Sequence, residues 1–434
     1  MTVHGLVALL AAGALAASGC GGGDDDGAAQ PAEGGAATDG AKAAPSLEES
    51  ADATGTVTMC AGKDTSGALT KAIALFNADH RAQGLKVEKL ELAEPSDEVR
   101  NQFIQRMQAR TAECDVLQAD IIWIAEFAQQ KWLLDMSGYV SGRREEFVPS
   151  TVAPFDYDGK LWGVPQVTGA GLLYRRTDQV PEVPSSWQEL YATAAEHDGF
   201  AYQGAPYEGL TCNFVELSSA AGGRILSEDG KKAELDSPEN LAALKLMADG
   251  VKNGGAVRAA VTYMEEPARL AFEAGRATYM RNWSYAYALA NKARKVKGRF
   301  EVSPLPPFEG AGSGGVLGGN GPVIPAYGDN PKGAMLWVDY WTSPETIRRN
   351  AATYALPPVL EATYDEPSVK EAIPYAAELE KAVAQASARP VSPVYPQITE
   401  AIFKNVNEAL GGKQSPEEAL KNGQQQIEKA LTSF

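Results

Sequence analysis

A chain of 434 residues is long enough for two domains with sizeable cores, and 22 % charged and 44 % hydrophobic residues are usual for a soluble globular protein. The formal net charge of −17 argues against nucleic acid or anionic lipid as a partner, because phosphate recognition needs clustered lysine and arginine. Three histidines, His4, His80 and His197, leave little for a histidine-based zinc site or catalytic triad. We therefore expect neither a metal nor a cofactor.

The amino-terminal residues have the pattern of an export signal. Leu6–Ala17 is a run of twelve apolar or small residues, which is too short to span a bilayer and is typical of a signal-peptide core. The segment Ala17–Cys20 resembles the lipobox of bacterial lipoproteins, although Ala17 stands where leucine is more usual. The sequence predicts a signal peptide over residues 1–19 and lipidation of Cys20, with an ordinary cleaved signal as the alternative.

Residues 20–55 are predicted to connect this anchor to a folded domain. They are rich in glycine, alanine, aspartate, glutamate and serine, contain no aromatic residue, and have Leu47 as their one large aliphatic side chain. Such a segment cannot bury enough apolar surface to fold. The sequence therefore predicts a flexible acidic tether.

The folded domain begins with alternating strands and helices. Each predicted strand is a short apolar or alternating run, and each predicted helix has apolar residues three or four apart on one face. This order is typical of a parallel α/β sheet. The predicted elements are a strand at Thr56–Cys60, a helix carrying Leu69, Ile73 and Phe76, a strand at Lys86–Leu92, a helix carrying Val99, Phe103, Ile104 and Met107, and a strand at Asp115–Trp123.

Three later helices are predicted because each begins with the same three-residue motif. Each begins with the triplet Ser-Pro-Glu, at Ser237, Ser343 and Ser415. Serine accepts a backbone N–H as a cap, proline fits the first turn, and glutamate complements the helix dipole.

A strand-to-helix joint near residue 283 is the first candidate for a ligand site. Thr278–Met280 is predicted as a buried strand, and Asn282 or Ser284 is expected to cap a helix over Ala286–Val296. Two aromatic residues lie between these elements, where ligand sites of open α/β sheets are usually found. The alternative is that both rings fill the core.

The three cysteines that remain after Cys20 leave their pairing open. An odd number means that at least one is free or pairs between molecules. A Cys60–Cys114 disulfide would contribute about 4 kcal/mol through loop closure. Cys60 is late in its strand and Cys114 precedes its own, however, which places them about 10 Å apart at ~3.3 Å per residue, beyond bridging distance. Cys212 lies in an apolar helical segment and is expected to be buried and unreactive.

Four motifs form a recognisable set between residues 115 and 396. They are Asp115–Phe127 with its Asp120, Leu161-Trp-Gly-Val-Pro165 followed by Leu173-Tyr-Arg175, the spaced residues Phe272, Gly275, Ala277 and Met280, and Arg389-Pro-Val-Ser-Pro-Val-Tyr395-Pro396. The set resembles the carbohydrate-binding lipoproteins of ABC importers, a part of the extracellular solute-binding family, and most of all their trehalose/maltose-type branch. The resemblance runs from about Thr56 to Phe434.

The resemblance implies an α/β fold of the two-lobed, type II periplasmic-binding-protein kind. Lobe 1 is expected over residues 56–165 plus 298–342, and lobe 2 over residues 166–297 plus 343–434. A ligand in the cleft between the lobes would favour the closed form by hinge motion.

A sugar presents two apolar C–H faces and a rim of hydroxyl groups, so its site needs flat rings together with charged or amide side chains. The resemblance assigns the stacking rings to Trp283 and Tyr285. The further candidates for ligand contact are Asp120, Arg389, Tyr395, Glu265, Gly318, Gly319, Asn320, Lys63, Asp64 and Tyr207. For three of these assignments an alternative stays open: Asp120 as a helix cap, Glu266 in place of Glu265, and an ordinary loop at Gly318 and Gly319. Five other tryptophans are expected in the core, namely Trp132, Trp162, Trp187, Trp337 and Trp341, whereas Trp123 is left open.

The chain departs from its trehalose/maltose-type relatives after Pro165. Those relatives often have an aromatic residue and an aspartate or asparagine where this chain has Val167 and Gly169. A lost carboxylate removes a hydrogen bond of roughly 1.5–3 kcal/mol, and glycine vacates space. We expect a ligand other than plain maltose or trehalose, either larger or lacking a hydroxyl there, unless Gln166 or Thr168 replaces the contact.

The expected function is a non-catalytic, extracytoplasmic receptor that delivers a di- or oligosaccharide to an ABC permease. The resemblance implies a monomer held on the outer face of the cell membrane by its lipid. A glycoside hydrolase, the first alternative, needs paired carboxylates roughly 5–9.5 Å apart. Glu265 and Glu266 are adjacent on one helix and point in different directions, which disfavours it. A receptor for a non-sugar solute, the second alternative, would need fewer stacking aromatics.

Overall fold

The computed structural model describes residues 40–64, 66–92 and 96–432. The predicted signal peptide and Cys20 lie outside these residues. Within them the strands are β1 (Gly55–Ala61), β2 (Leu85–Glu91), β3 (Val116–Asp120), β4 (Asp156–Tyr157), β5 (Lys160–Leu161), β6 (Val167–Ala170), β7 (Leu172–Arg176), β8 (Phe200–Ala201), β9 (Tyr279–Asn282), β10 (Phe300–Pro304) and β11 (Leu317–Val323).

Helices surround these strands. They are α1 (Leu47–Ser50), α2 (Ala68–Asp79), α3 (Ser96–Gln108), α4 (Ile124–Gln129), α5 (Ser137–Val140), α6 (Pro149–Val152), α7 (Trp187–Ala195), α8 (Glu208–Ala220), α9 (Pro238–Asn253), α10 (Glu265–Glu273), α11 (Ala286–Ala290), α12 (Pro331–Trp341), α13 (Pro344–Tyr354), α14 (Pro367–Ala372), α15 (Ala376–Gln385), α16 (Tyr395–Leu410) and α17 (Pro416–Thr432). Among the residues described, none of the helices combines the length and apolar character needed to cross a bilayer.

The first sheet has five strands in the order β2-β1-β3-β11-β6. Strand β1 is parallel to both β2 and β3, which confirms the predicted parallel start of the domain. Alternate side chains of β1, such as Val57 and Met59, are fully buried, and α2 packs Phe76 into the same core. Strand β11 returns from much later in the chain and pairs antiparallel with β3 and β6.

The second sheet has four strands in the order β10-β7-β9-β8. Its central strand β7 is buried at all five positions, as expected for a strand covered on both faces. Gly171 alone separates β6 of the first sheet from β7 of the second. A Cβ atom there would lie 2.1 Å from Oε1 of Glu216, so the chain crosses between the sheets at a position that only glycine fits.

Strand pairing differs from the expected lobe bounds at two places. Residues 167–170 were assigned to lobe 2, yet β6 pairs with β11 in the first sheet. Residues 300–304 were assigned to lobe 1, yet β10 pairs antiparallel with β7 in the second sheet. The physical reason is that sheet membership follows these long-range pairings, which local patterns do not report.

The expected tether does not extend to residue 55. Ala44 and Lys42 form backbone hydrogen bonds with Asp135, of 2.8 and 3.0 Å. Helix α1 carries a capping box in which the Ser46 side chain and Glu49 satisfy each other's backbone N–H groups. These backbone bonds order residues 42–54 although the segment has little apolar surface.

Cys60 and Cys114 form a disulfide with a Cα–Cα distance of 5.7 Å, so the expected separation of about 10 Å is wrong. The chain before β3 turns back instead of running straight. Asp115 holds this turn, since its N–H donates to Thr58 O at 3.0 Å and its carboxylate accepts the Thr58 N–H at 2.8 Å. Cys212 is free and buried, as predicted, and burial raises the pKa of its thiol to about 12.

The three Ser-Pro-Glu helix starts are confirmed, because the hydroxyls of Ser237, Ser343 and Ser415 each accept a backbone N–H from the first turn. The cap predicted for the strand-to-helix joint near residue 283 is wrong. Helix α11 has no side-chain cap and ends at Ala290. The side-chain amide oxygen Oδ1 of Asn282 accepts the N–H of the very next residue, Trp283, instead.

Candidate functional site

A cleft of about 610 Å³ lies between the two sheets. The end of β3, the start of β6 and the first half of β11 form one wall. The starts of α8 and α10 with the residues after β9 form the other. Eight of the predicted ligand residues line it together: Asp120, Tyr207, Glu265, Trp283, Gly318, Gly319, Asn320 and Arg389.

Trp283 is the flat surface of this cleft. Its half-buried indole lies over the Arg281 guanidinium, with 3.9 Å from the arginine Cζ to the ring centroid. A Cβ atom at Gly318 would lie 3.1 Å from the indole Cζ3, so glycine leaves room for the ring edge. The Tyr174 hydroxyl donates to the Trp283 carbonyl at 2.7 Å and fixes the backbone at this point.

Tyr285 is not among the residues that line the cleft. Its side chain is 43 % exposed, and its hydroxyl donates to Glu266 on α10 at 2.8 Å. Tyr285 therefore precedes α11 as a half-exposed ring outside the cleft lining, bonded to the residue next to Glu265.

Glu208, at the start of α8, is the main polar residue of the cleft that is absent from the predicted ligand residues. Its carboxylate accepts hydrogen bonds from Arg389, Tyr395 and Thr399, each at 2.6 Å. Tyr395 is buried and outside the cleft lining, so it supports Glu208 instead of facing a ligand. The sequence feature that points to Glu208 is the short run Tyr207-Glu-Gly209 before an apolar helix.

Arg389 links the two walls of the cleft. It pairs with Glu208 on one wall, and its Nη2 lies 3.7 Å from the Asp120 carboxylate on the other. Asp120 also accepts the Ile122 N–H at 3.1 Å, so the helix-capping role considered for it is present as well. Arg389 is 6 % exposed, and its Nε has no hydrogen-bond partner among the described residues.

Glu265 and Tyr207 form a second polar pair on the wall formed by α8 and α10. The Tyr207 hydroxyl donates to Glu265 at 2.7 Å. Burial, followed by the charge of Glu265, raises the pKa of Tyr207 far above its ordinary value, which keeps the hydroxyl protonated. Glu266 instead pairs with Arg269 and lies outside the cleft lining, so the geometry favours Glu265 of the two.

A smaller cavity of about 330 Å³ adjoins the cleft and shares Asp120, Val167 and Asn320 with it. Its wall carries an amide network, in which Gln118 donates to Asn320 at 2.5 Å and to Gln166 at 3.2 Å. Trp341, expected in the core, is buried but also lines this cavity. Trp123, for which the sequence favoured neither role, is buried and lines the same cavity. The remaining tryptophans expected in the core are confirmed as buried: Trp132, Trp162, Trp187 and Trp337.

Lys63 and Asp64 also line the smaller cavity. The Asp64 carboxylate accepts hydrogen bonds from the backbone N–H groups of Gly67 and Thr70 and from the Thr70 hydroxyl, each at 2.8 Å. These bonds lower the pKa of Asp64 although burial opposes them. Asp64 therefore organises the start of α2.

The cleft as a whole offers the aromatic rings of Trp283 and Tyr207 and a rim of donors and acceptors. Its charged lining residues, within the described chain, are three carboxylates, Asp120, Glu208 and Glu265, and one guanidinium, Arg389. The described residues contain no cluster of three or more histidine, cysteine, aspartate or glutamate side chains suited to a metal ion. The arrangement suits a neutral ligand that has apolar faces and many hydroxyl groups.

Comparison with known proteins gives a consistent family. The family model for bacterial extracellular solute-binding proteins matches residues 71–377. A probable ABC transporter-binding protein of Deinococcus radiodurans is 30 % identical over 365 residues, covering 79 % of this chain and 86 % of that protein.

Solved structures agree with this match. The maltose-bound MalE3 of T. maritima has a TM-score of 0.78 and 32 % identity, covering 87 % of this chain and 100 % of its own. An ABC transporter solute-binding protein of Thermotoga lettingae bound to α-D-tagatose has a TM-score of 0.76 and 25 % identity, covering 87 % of this chain and 100 % of its own. The predicted two-lobed α/β fold is thereby confirmed. The chain belongs to the bacterial extracellular solute-binding proteins.

Proposed function

We propose that this protein is an extracytoplasmic receptor that binds a neutral di- or oligosaccharide in the cleft and delivers it to an ABC permease. The observation that carries the proposal is Trp283, a flat ring in the cleft beside carboxylate, amide and guanidinium groups. Rings of this kind stack on the C–H faces of sugars, and such polar groups bind the hydroxyl rim. The maltose and α-D-tagatose bound by two related structures support the same ligand class.

The charge of the cleft supports a neutral ligand over an acidic one. Arg389 is its one positive lining group among the described residues, and Glu208 and Asp120 already pair with it. A uronic acid or sugar phosphate would therefore meet Glu265 and the other carboxylates without a free cation to offset their repulsion.

A thermal-shift screen tests the proposal. Maltose, trehalose, maltotriose and a glucuronic-acid disaccharide are compared, because a ligand at 100 times its dissociation constant stabilises the folded state by about 2.7 kcal/mol. We expect stabilisation by at least one neutral sugar and none by the acidic one. Stabilisation by the acidic disaccharide alone, or by a dipeptide included in the same screen and by no sugar, would contradict the proposal. A separate reducing-sugar assay on the same sugars would reveal a hydrolase.

Trp283→Ala is expected to weaken sugar binding by at least roughly 2 kcal/mol, about 30-fold, because a buried aromatic anchor is typically a hot spot. Calorimetry with the sugar selected by the screen measures the effect. Tyr285→Ala is the matched control, since this ring is outside the cleft lining, and we expect a smaller loss. Unchanged affinity in a folded Trp283→Ala variant would exclude the stacking role.

Gly169→Asp tests the preference of the cleft for particular sugars. Gly169 pairs in register with Gly318 beside Trp283, and a Cβ atom at Gly169 would meet nothing within 4 Å. We expect this open space to disfavour plain maltose and trehalose relative to a larger ligand such as maltotriose. Tight wild-type binding of either disaccharide, weakened by the aspartate, would show that the space does not exclude them.

We propose further that Cys20 carries the lipid that holds the protein on the outer face of the membrane. Cys20→Ser is expected to move the protein from the membrane fraction to the soluble fraction, because acyl chains and not the acidic segment would supply the affinity. Fractionation with immunoblotting measures this. A variant that stays in the membrane pellet would contradict the anchor, and light scattering on the released protein tests the expected monomer.

A further inference from the structure

A buried guanidinium lies directly behind the ring of Trp283. Arg281 is fully buried, and its Cζ lies 3.9 Å from the indole centroid. This is the geometry of a cation–π contact. Arg281 belongs to β9, and Trp283 is the first residue after the strand.

The guanidinium is held in place on its remaining sides. Glu216 of α8, itself fully buried, accepts two hydrogen bonds from it, from Nε at 2.9 Å and from Nη2. Gln203 accepts a third from Nη1 at 3.1 Å. A Cβ atom at Gly171 would lie 2.1 Å from Glu216 Oε1 and 2.8 Å from Arg281 Nε, so the crossing between the sheets packs against this pair.

Arg281 is not among the residues that line the cleft, so it acts on a ligand only through Trp283. We propose that Arg281 is a positioning residue for sugar binding, which supports one face of the Trp283 indole and so fixes the ring for stacking. The inference rests on the proposed function, because it assigns the other face of the ring to the sugar. Glu216 and Gln203 fix the guanidinium, and the guanidinium fixes the indole.

Fluorine NMR of protein labelled with 5-fluorotryptophan tests the positioning without any ligand. Trp283→Phe identifies the Trp283 resonance, and Arg281→Lys keeps the charge but loses the planar fork. We expect Arg281→Lys to shift or broaden that resonance. Arg175→Lys is the matched control, because Arg175 is also buried and lies on β7 of the same sheet, where it pairs with Glu301 at 2.6 Å. We expect this variant to leave the Trp283 resonance unchanged.

Calorimetry with maltotriose tests the link to binding. Arg281→Lys is expected to weaken affinity about threefold to tenfold in the wild-type background, and by less than about twofold when Trp283 is already alanine. If Arg281→Lys does not fold, the pair Arg281→Gln with Glu216→Gln removes both charges and is measured instead.

An unchanged Trp283 resonance, or an equal loss of affinity in both backgrounds, would overturn the positioning role. Failure of the wild-type protein to bind any sugar would count against the proposed function, while the fluorine resonance would still decide whether Arg281 holds the ring. The two failures are therefore distinguishable.

Discussion

Replacing both Cys60 and Cys114 by alanine is expected to lower the free energy of unfolding by about 4 kcal/mol. The two cysteines are fully buried and joined by a disulfide across a sequence separation of 54 residues. The bond closes this loop in the unfolded chain, so its removal returns conformational entropy to the unfolded state. Guanidinium denaturation followed by circular dichroism measures the difference.

The single variants make this prediction specific. Cys60→Ala and Cys114→Ala should each lose nearly as much stability as the double variant, because either one removes the whole cross-link. Cys212→Ala is the control for loss of a buried thiol without a cross-link, with an expected change of about 1 kcal/mol. Losses that simply add between the two single variants would contradict the disulfide.

The parts of the fold that follow from neighbouring residues were predictable from the sequence. Strand β1 and helix α2 are formed by apolar side chains a few positions apart, and their spacing reports the period directly. The helix starts at Ser237, Ser343 and Ser415 are equally local, because each cap joins residues three positions apart.

Features that join distant residues were not predictable in this way. The membership of β10 in the second sheet depends on its pairing with β7, more than a hundred residues earlier. The distance between Cys60 and Cys114 depends on a turn held by Asp115 and Thr58, which are 57 residues apart. A straight strand was the simplest assumption for that segment, and it gave the wrong distance.

The residues of the candidate site show the same difference between local and long-range features. Asp120 ends strand β3 and Trp283 follows strand β9, positions where the sequence pattern suggests a ligand, and both line the cleft. Glu208 was not among the predicted ligand residues, because its importance comes from Arg389 and Tyr395, which are 181 and 187 residues away. Tyr285 has the right residue type, but its half-exposed ring is outside the cleft lining and its hydroxyl pairs with Glu266.

Glu216→Gln is expected to lower the free energy of unfolding by about 3–5 kcal/mol. Glu216 and Arg281 form a fully buried ion pair, so the variant leaves the arginine charge in the interior without its counter-ion. A buried unpaired charge costs far more than the ion pair itself contributes, because its desolvation is no longer offset. Glutamine has nearly the same shape as glutamate, which makes the lost charge the main change.

Two comparisons separate this effect from a general response to losing a glutamate. Glu400→Gln breaks an exposed ion pair with Lys404 on α16 and is expected to change stability by no more than about 0.5 kcal/mol. Adding Arg281→Gln to Glu216→Gln removes the stranded charge and should recover much of the loss, because two neutral amides need no counter-ion. If Glu216→Gln is as mild as Glu400→Gln, or if the second substitution makes the loss larger, the buried pair does not have the role assigned to it.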